Sequence, residues 1–427
     1  MVTRERGSLQ VPCYFVTSLQ ISCNVPTIET PNPYRPGAAI SPLFLAGRSQ
    51  ELRHFESTLR GSPHLPANVR LTGLRGVGKT VLLKEFERVA IDKMGWAAAR
   101  TQLEPRHNTE QDLRALIVDL CEQTRLRISR AARLRQKVKG AATAARGLMR
   151  FSYEEFEISL AGMPGANERP MFQAIFETAQ AADQAGMAGF LLMLDEAQVI
   201  RDDKDRTGEH PLSLLIAAIN GLQEQEVPVG LILCGLPTLR ANLLRARTYS
   251  ERMFRGEDIG RLGHDEATEA FVRPLDDTPT HATEGLVERV IAEVEGYPFF
   301  IQLWGAELWE AARDAQVDEL SELLLDQVEP DIFRRLDGDF HEGRVESLTP
   351  AEQDLLMATA DCSYPPLRTS DIHGRSGKSE GNVNVLMGRL ADQGVVYRVQ
   401  KGQYEYTAPK FHDYLRRRKQ RLADRGH

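Results

Sequence analysis

Apolar and polar positions follow two alternating patterns along residues 45–260. Short, continuous apolar runs, at residues 190–195 and 227–234, are typical of parallel strands that are buried on both faces. Between such runs, apolar positions recur three and four residues apart, as in residues 109–127, and this spacing predicts helices that face a core. Strands that alternate with helices predict an α/β fold in which helices cover both faces of a parallel sheet. The other elements predicted in this region are helices over 49–59, 79–95 and 171–185 and strands over 69–72 and 96–103.

The pattern becomes helical after residue 262. Residues 263–346 show helical spacing and no segment with the alternation of a strand, and residues 261–346 contain 22 acidic and 7 basic side chains. They predict an all-α region with an acidic surface. The total net charge of −7 therefore conceals an acidic block between two mildly basic ones.

Residues 347–427 form a third region, whose pattern ends in a hairpin. Thr349 and Glu352 have the spacing of a capping box, and Pro350 stands at the first helical position between them. Two further short helices and two strands follow, over 369–374, 379–393, 395–399 and 404–407. Three helices followed by a hairpin predict a winged helix.

Two segments depart from these patterns. Residues 1–42 contain five prolines between residues 26 and 42 and predict an extended or disordered arm, with order beginning near Leu45. Within the α/β domain, which we place at residues 43–262, a basic insertion is predicted near 125–165.

The basic insertion has two open interpretations. Residues 125–150 hold nine Lys or Arg side chains and no acid, and residues 156–160 alternate as a strand or hairpin does. Several phosphate contacts from such a segment would make nucleic-acid binding strongly salt-dependent. A solvated helix explains the composition equally well.

Composition narrows the class of protein further. The chain has 427 residues and five cysteines, none in a C-x-x-C pair, so neither a disulfide framework nor a zinc site is indicated. No apolar run approaches the roughly 18 residues that span a bilayer. We therefore expect a cytoplasmic protein that does not enter the membrane.

A glycine-rich loop lies between the strand at 69–72 and the helix at 79–95. Its spacing is G-x-x-x-x-G-K-[ST], in which backbone N–H groups surround a phosphate, the lysine reaches the outer phosphates and the hydroxyl meets Mg²⁺. This motif predicts that ATP or ADP binds here with Mg²⁺. The residues concerned are Gly73, Leu74, Arg75, Gly76, Val77, Gly78, Lys79, Thr80 and Val81.

An acidic pair ends the apolar strand at 190–195. In phosphoryl transfer, an Asp at the end of a strand holds magnesium, which assigns Asp195 to the metal. A neighbouring carboxylate can orient and deprotonate the attacking water, which makes Glu196 the candidate base. Both residues lie at the edge where active sites of parallel sheets are found.

These residues resemble the AAA+ ATPases of the origin-recognition and archaeal-initiator type, and more closely a bacterial set of AAA family ATP-binding proteins. The resemblance covers roughly residues 32–420, including Asn32-Pro33-Tyr34-Arg35-Pro36-Gly37 and Leu45-Ala46-Gly47-Arg48. It implies a P-loop domain, a helical lid and a C-terminal winged helix, which we place at 43–262, 263–346 and 347–427.

The resemblance also implies roles for individual residues. Gly47 and Arg48 are expected near the adenine, and Arg252 takes the place of an arginine finger that acts on a neighbouring subunit. An ordinary ion pair at a helix end is the alternative for Arg252. The finger interpretation predicts a homo-oligomer.

Two departures from the family bear on catalysis. Where related ATPases place a polar sensor at the end of the fourth strand, this chain has residues 231–237 with no obvious polar side chain to contact the γ-phosphate. Where initiators carry a sensor arginine in the lid, it has Gly296-Tyr297-Pro298, which is similar to the Gly-x-Pro motif of signalling ATPases. Pro298 is thus expected at the nucleotide, and turnover and switching both remain open.

The winged helix predicts contact with double-stranded DNA. Its second helix would present Asn382, Asn384 and Arg389 to the major groove, where Asn and Arg can contact base edges. Arg398 and Lys401 on the wing, with the basic run 416–419 behind it, would contact phosphates.

Together these patterns predict an oligomeric, ATP-dependent, DNA-associated ATPase. The alternative is a nucleotide-controlled signalling or defence switch whose winged helix binds protein.

Overall fold

Five parallel strands form the central sheet, in the order β2-β3-β4-β1-β5. The computed structural model describes residues 31–37, 39–139, 169–202, 208–246 and 250–425. The predicted parallel sheet is confirmed. Its strands are β1 (Val69–Gly73), β2 (Ala97–Gln102), β3 (Phe190–Asp195), β4 (Val229–Gly235) and β5 (Arg255–Ile259).

Apolar side chains on both faces of the sheet explain its continuous hydrophobic runs. On β3, Leu191 and Met193 belong to one core, while Leu192 and Leu194 belong to another on the opposite face. Successive side chains of a strand point to opposite faces, so a strand without polar positions needs cover on both. The helices of this domain are α1 (Ser49–Gly61), α2 (Lys79–Arg88), α3 (Glu110–Lys139), α4 (Arg169–Gln184), α5 (Pro211–Glu224), α6 (Thr238–Ala246) and α7 (Ser250–Met253), and α2 continues as a π-helical turn over Val89–Lys93.

The acidic region is helical, as predicted, but it also contains a short parallel strand pair. The pair consists of β6 (His281–Ala282) and β7 (Glu319–Leu320), so the expectation of no strand there is wrong. Two residues are too few to show an alternating pattern, and their pairing depends on the approach of distant segments. The helices are α8 (His264–Val272), α9 (Glu284–Val294), α10 (Pro298–Ala315), α11 (Glu322–Arg335) and α12 (Gly343–Glu346), with a π-helical segment over Leu336–Glu342.

The C-terminal region contains the three helices and the hairpin that its sequence predicts. The Glu352 carboxylate accepts the N–H of Thr349 at 2.9 Å, so the start of the first helix is stabilised as expected. The added elements are a short strand, β8, which completes an antiparallel sheet of order β8-β10-β9, and a last helix, α16. The elements are α13 (Pro350–Thr359), β8 (Leu367–Arg368), α14 (Thr369–Ser376), α15 (Glu380–Asp392), β9 (Val396–Gln400), β10 (Gln403–Tyr406) and α16 (Phe411–Arg425).

The chain is ordered well before Leu45, which corrects the predicted extent of the arm. Tyr34 is buried at 2% exposure, and its hydroxyl donates to the Phe271 carbonyl at 2.5 Å. The Asn32 amide donates to the Ala306 carbonyl at 3.2 Å. Prolines exclude regular structure here, but one buried ring and a few hydrogen bonds hold the segment without it.

Some predictions fall outside the described residues. Residues 1–30 and 140–168 are not described, so most of the predicted N-terminal arm and the strand predicted over 156–160 lie there. Helix α3 extends to Lys139, beyond its predicted end. Within the part of the chain that is described, no helix is both long and apolar enough to cross a membrane.

Candidate nucleotide-binding site

The phosphate loop connects β1 to α2 through backbone conformations that require glycine. Gly76 and Gly78 have φ angles of +80° and +87°, in the left-handed region that side chains disfavour. At Gly73, an added Cβ would lie 2.3 Å from the Ile259 carbonyl oxygen of β5. The three glycines of the motif are therefore explained by the shape of the turn and its fit against the sheet.

Lys79 opens α2 with its side chain folded over the loop. The side chain is largely buried, and its Nζ donates to the Leu74 carbonyl at 2.8 Å. Burial lowers the pKa of Lys79, while the nearby Glu196 and Asp195 carboxylates act in the opposite direction. An anion in the loop would give this ammonium group a stronger partner than a neutral carbonyl.

Thr80 and Asp195 bring a hydroxyl and a carboxylate together beside the loop. The Thr80 hydroxyl donates to Asp195 Oδ2 at 2.7 Å, although the residues are far apart in sequence. Asp195 Oδ1 accepts the N–H of Glu196 at 2.8 Å. Asp195 is buried at 3% exposure at the end of β3, which fixes the direction of its carboxylate.

Glu196 has an unusual backbone and a side-chain partner that the sequence did not indicate. Its φ of +54° is rare for a residue with a side chain and is often found where function constrains the chain. The Gln198 amide donates to the Glu196 carboxylate, and Gln198 Oε1 accepts the Leu236 N–H at 3.0 Å. Gln198 thus links the candidate base to the end of β4, and only its position two residues after Glu196 could have suggested it.

The end of β4 has a neutral side chain at the expected sensor position. Cys234 is buried beside Asp195 and Lys79, and burial, with a further effect of Asp195, raises the pKa of its thiol well above the usual value. The thiol is therefore uncharged near neutral pH.

A cavity of about 490 Å³ lies over the phosphate loop. Its walls include the segment before α1, the start of α10 and the π-helical segment with α12, besides the loop itself. Among the residues predicted to contact nucleotide or act on it, those that line the cavity are Arg48, Arg75, Gly76, Val77, Gly78, Lys79, Thr80, Val81, Glu196 and Pro298.

Other predicted residues have different positions. Gly47, Gly73, Leu74 and Asp195 are not among the lining residues. The Arg48 guanidinium is buried and donates to the carbonyls of Val77 at 3.0 Å and Gly260 at 2.7 Å, so it supports the backbone of the loop. These contacts lie within the candidate nucleotide-binding site, but they are made to the protein backbone and do not depend on an adenine base.

Arg252 is exposed on α7 and does not line the cavity of its own chain. The structure therefore does not bring it to the phosphate loop within one molecule.

The helical region contacts the phosphate loop directly through the Gly-x-Pro motif. Pro298 is the first residue of α10, and the next residue, Phe299, donates its N–H to the Gly76 carbonyl at 3.2 Å. Gly296, with φ +72°, accepts the Leu262 N–H at 2.8 Å. The motif thus holds the start of α10 against the loop.

The C-terminal region also contacts the phosphate loop, which the sequence did not predict. The Arg75 N–H donates to the Thr407 carbonyl at 2.9 Å, just after β10. The Lys410 ammonium lies 2.9 Å from a Glu293 carboxylate oxygen and 3.5 Å from one of Glu295, both near the end of α9. The hairpin end is therefore bound to the loop and to the acidic region together.

The basic run 416–419 is largely used within the chain, which corrects the prediction that it contacts phosphates. Arg417 donates to Asp337 at 2.5 Å, and Arg418 and Lys419 pair with Glu342 and Asp361. Most of these carboxylates come from the acidic region. The sequence alone could not predict that this region pairs with α16.

The predicted DNA-contacting side chains are all exposed, but they do not share one face. At about 100° per residue, Asn382 and Arg389 lie on one flank of α15 and Asn384 lies on the other. Between the flanks, the outward face includes Val385, which is 55% exposed. Arg398 and Lys401 are exposed at the hairpin.

A parallel sheet with this loop after its first strand and an acidic pair after its third strand defines a P-loop nucleotide-binding protein. Residues 45–233 match the family model described as AAA ATPase domain, so this part of the chain is an AAA ATPase domain. Residues 338–415 match a domain of unknown function, DUF8462. No curated protein matches the chain significantly.

Three solved structures are similar to the chain at low sequence identity. The Aeropyrum pernix ORC2 protein, solved as ADPNP-ADP complexes, is 14% identical with a TM-score of 0.50, over 89% of this chain and 96% of that one. The Aeropyrum pernix ORC1 protein in complex with DNA is 16% identical with a TM-score of 0.45, over 88% and 93%. The Thermotoga maritima RuvB Holliday junction branch migration motor is 13% identical with a TM-score of 0.44, over 87% and 95%.

Proposed function

We propose that this chain binds ATP with Mg²⁺ in the cavity over the phosphate loop and hydrolyses it to ADP and phosphate. The hydrogen bond between Thr80 and Asp195 carries the proposal, because it joins the hydroxyl of the loop to the strand-end carboxylate beside Lys79. The binding of a phosphate chain explains three features together: the glycine φ angles, the loop lysine and this pair of oxygen atoms.

Each residue has a defined part in this proposal. Lys79 would exchange the Leu74 carbonyl for phosphate oxygens, and the loop N–H groups would surround the inner phosphates. Glu196, held by Gln198, would orient a water molecule and accept its proton as the water oxygen bonds to the γ-phosphorus and the bond from that phosphorus to ADP breaks. Arg252 would complete the site of a neighbouring subunit, which makes the active form an oligomer.

Mg²⁺ fits the oxygen atoms that are present. It prefers oxygen ligands and is commonly bound by one or two carboxylates together with phosphates, as Thr80, Asp195 and a nucleotide would provide. Across the described residues, no cluster of three or more His, Cys, Asp or Glu could hold a metal alone, so the nucleotide would have to complete the site. When bound, the ion neutralises phosphate charge.

Loss of the loop lysine tests nucleotide binding. Lys79→Ala should abolish ATP binding measured by calorimetry and leave the thermal unfolding transition nearly unchanged, since the side chain contributes a single hydrogen bond to a neutral carbonyl. The matched control is Lys84→Ala, a lysine about one turn further along α2 that also donates to a backbone carbonyl, that of Ala39. Equal ATP affinity in Lys79→Ala and the unaltered chain would refute the assignment.

We also propose that the chain associates with double-stranded DNA through a winged helix at residues 347–427. It is supported by three helices followed by a hairpin, and by the exposed Asn382, Arg389, Arg398 and Lys401. Exposed Arg and Lys side chains on α15 and the hairpin suit phosphates, whereas the separation of Asn384 leaves few side chains for base edges.

The second candidate is a nucleotide-controlled switch whose C-terminal region binds protein. It is favoured by the hydrogen bond from Arg75 to Thr407, which joins that region to the phosphate loop, and by the exposed Val385 and Val399. ADP that stays bound through purification, together with no retention on DNA, would favour this candidate. Salt-dependent DNA retention without bound ADP would favour the first.

A further inference from the structure

A stretch of chain before α1 forms one wall of the nucleotide cavity. We call residues 32–42 the N-terminal strap; the structure describes all of them except residue 38, and the described ones form no helix or strand. Several of them line the same cavity as the phosphate loop, namely Arg35, Pro36, Gly37, Ala39, Ile40 and Pro42. The strap is therefore part of the candidate site, although no regular structure holds it there.

The strap lies at the end of the cavity away from the phosphate loop. It follows α10, whose first residue, Pro298, lies at the loop. The Arg35 N–H donates to Gln302 Oε1 at 2.9 Å, one turn further along this helix. Tyr34 packs on Gly305, almost another turn beyond. At 1.5 Å per residue, these contacts are about 6 and 10 Å from Pro298 along the helix axis. A nucleotide whose phosphates occupy the loop would extend its ribose and base toward the strap.

Tyr34 fastens the strap to α10 through a glycine in the middle of that helix. The Tyr34 ring is buried, and it lies so close to Gly305 that an added Cβ would stand 2.4 Å from its nearest carbon atoms. Because glycine inside a helix costs stability relative to alanine, the close approach of the ring explains why this position is glycine. The Tyr34 hydroxyl donates to the Phe271 carbonyl of α8, and the two rings stack with centroids 5.7 Å apart. One side chain thus joins the strap to two helices.

The other contacts of the strap are less buried. The Asn32 amide donates to the Ala306 carbonyl at a partly buried position, and Lys84 of α2 donates to the Ala39 carbonyl at an exposed one. Water can replace hydrogen bonds at such positions, so they contribute less than the buried ring does. Ile40 lines the cavity and is 49% exposed, which leaves apolar surface that a bound base would cover.

We propose that Tyr34 holds the strap closed over the base end of a bound nucleotide and thereby limits the rate at which the nucleotide leaves. The proposal rests on the nucleotide-binding function proposed above. Tyr34 does not line the cavity, so it is a positioning residue that acts through residues 35–42. The nucleotide leaves when the strap opens, and its release rate therefore follows the fraction of molecules in which the Tyr34 ring has left Gly305.

Gly305→Ala tests this role without removing a side chain. The added methyl group occupies the place of the ring, while alanine is the better helix former and does not weaken α10 itself. Gly388→Ala is the matched control, because Gly388 also lies inside a helix, α15, but has open space where a Cβ would stand. Lys84→Ala is a second control, which removes an exposed contact of the strap.

The release of labelled ADP into excess unlabelled ADP, from the full chain with Mg²⁺, measures the effect. Gly305→Ala should speed release roughly 10- to 100-fold, the range expected when a buried contact is overpacked. Gly388→Ala and Lys84→Ala should change the release rate by less than about threefold. A change of less than about threefold in Gly305→Ala would overturn the proposal.

Inorganic tripolyphosphate distinguishes release of the strap from general damage to the site. It has the phosphate chain without ribose or base, so it can occupy the loop without reaching the strap. Its affinity for Gly305→Ala, measured by calorimetry, should stay within about threefold of its affinity for the unaltered chain. A loss of affinity as large as the gain in the ADP release rate would locate the damage at the phosphate loop and overturn the proposal.

Tyr34→Phe keeps the outcome decisive if Gly305→Ala has no cooperative thermal transition. It retains the ring and removes only the hydroxyl that donates to the Phe271 carbonyl, so ADP release should become roughly three- to tenfold faster. An unchanged rate overturns the proposal. If the unaltered chain binds no ADP, the proposed function is refuted and the role of Tyr34 with it. A chain that binds ADP but releases it at one rate in every variant refutes the role of Tyr34 alone.

Discussion

Replacing Glu196 by glutamine separates nucleotide binding from hydrolysis. The substitution keeps the length of the side chain and an oxygen that can accept the Gln198 amide, so the left-handed backbone at φ +54° keeps its support. Glutamine cannot accept the proton of the attacking water. ATP binding should therefore be unchanged, while phosphate release falls by roughly 10²- to 10⁴-fold, or about 3 to 5 kcal/mol in the barrier.

Gln198 allows the positioning of the carboxylate to be measured separately from its basicity. Gln198→Ala removes the donor to Glu196 and the acceptor of the Leu236 N–H, but it leaves the carboxylate in place. Because Glu196 is only half-buried, water can replace part of the lost bond, and we expect a penalty of about 1 kcal/mol. Hydrolysis should fall roughly three- to tenfold, well short of the effect of Glu196→Gln.

Steady-state phosphate release at saturating ATP and Mg²⁺ measures both variants, with calorimetry to check binding. Glu122→Gln makes the same chemical change at an exposed position of α3 and should have no effect. Turnover by Glu196→Gln within about threefold of the unaltered chain would refute its role as the base. If the unaltered chain shows no turnover under any condition, hydrolysis gives way to the switch.

Three further predictions concern assembly, DNA and the contact with the C-terminal region. Mixing Arg252→Ala with Lys79→Ala protein should restore part of the ATP hydrolysis that each variant lacks, because some interfaces would join an intact arginine to an intact loop. If light scattering shows that the two variants co-assemble and hydrolysis does not recover, action in trans is excluded. Arg389→Ala combined with Arg398→Ala should weaken DNA retention and reduce the salt slope by about 2, whereas an unchanged slope would exclude these phosphate contacts. Lys410→Ala, which removes the pairs to the end of α9, should speed ADP release roughly three- to tenfold in stopped-flow measurements, and Lys419→Ala, whose partner Asp361 lies within the C-terminal region, should not.

The elements with strong local signals were predictable from the sequence. Residues 190–194 are all apolar, as expected for a strand that is covered on both faces, and β3 spans them and ends at Asp195. The phosphate loop was equally clear, because the positive φ angles of Gly76 and Gly78 are local demands that glycine alone meets easily. Such features depend on neighbours in the chain and so appear as patterns in it.

Features that depend on distant segments were not predictable. Gln198 positions Glu196 because its side chain also accepts the Leu236 N–H at the end of β4. Tyr34 holds the N-terminal segment because its hydroxyl donates to the Phe271 carbonyl of α8. The pair β6 and β7 has no pattern because each strand has only two residues. Arg344 looks like any arginine in an acidic helix until the fold places it beside the loop. In each case the informative contact joins residues that are far apart in sequence.

The segment over 336–346 connects the nucleotide cavity to the C-terminal region. Phe340 and Arg344 line the cavity, while Asp337 and His341 are held by α16. Because closely packed side chains do not move independently, a shift on the cavity side that accompanies the loss of a phosphate should also strain the contacts with α16. A ligand displaces such an equilibrium only by its differential contacts with the two states, and a nucleotide contact with the cavity side of this segment would be such a contact. Both candidate functions can use this connection between the cavity and the C-terminal region. They differ in whether the exposed face of α15 contacts DNA or another protein.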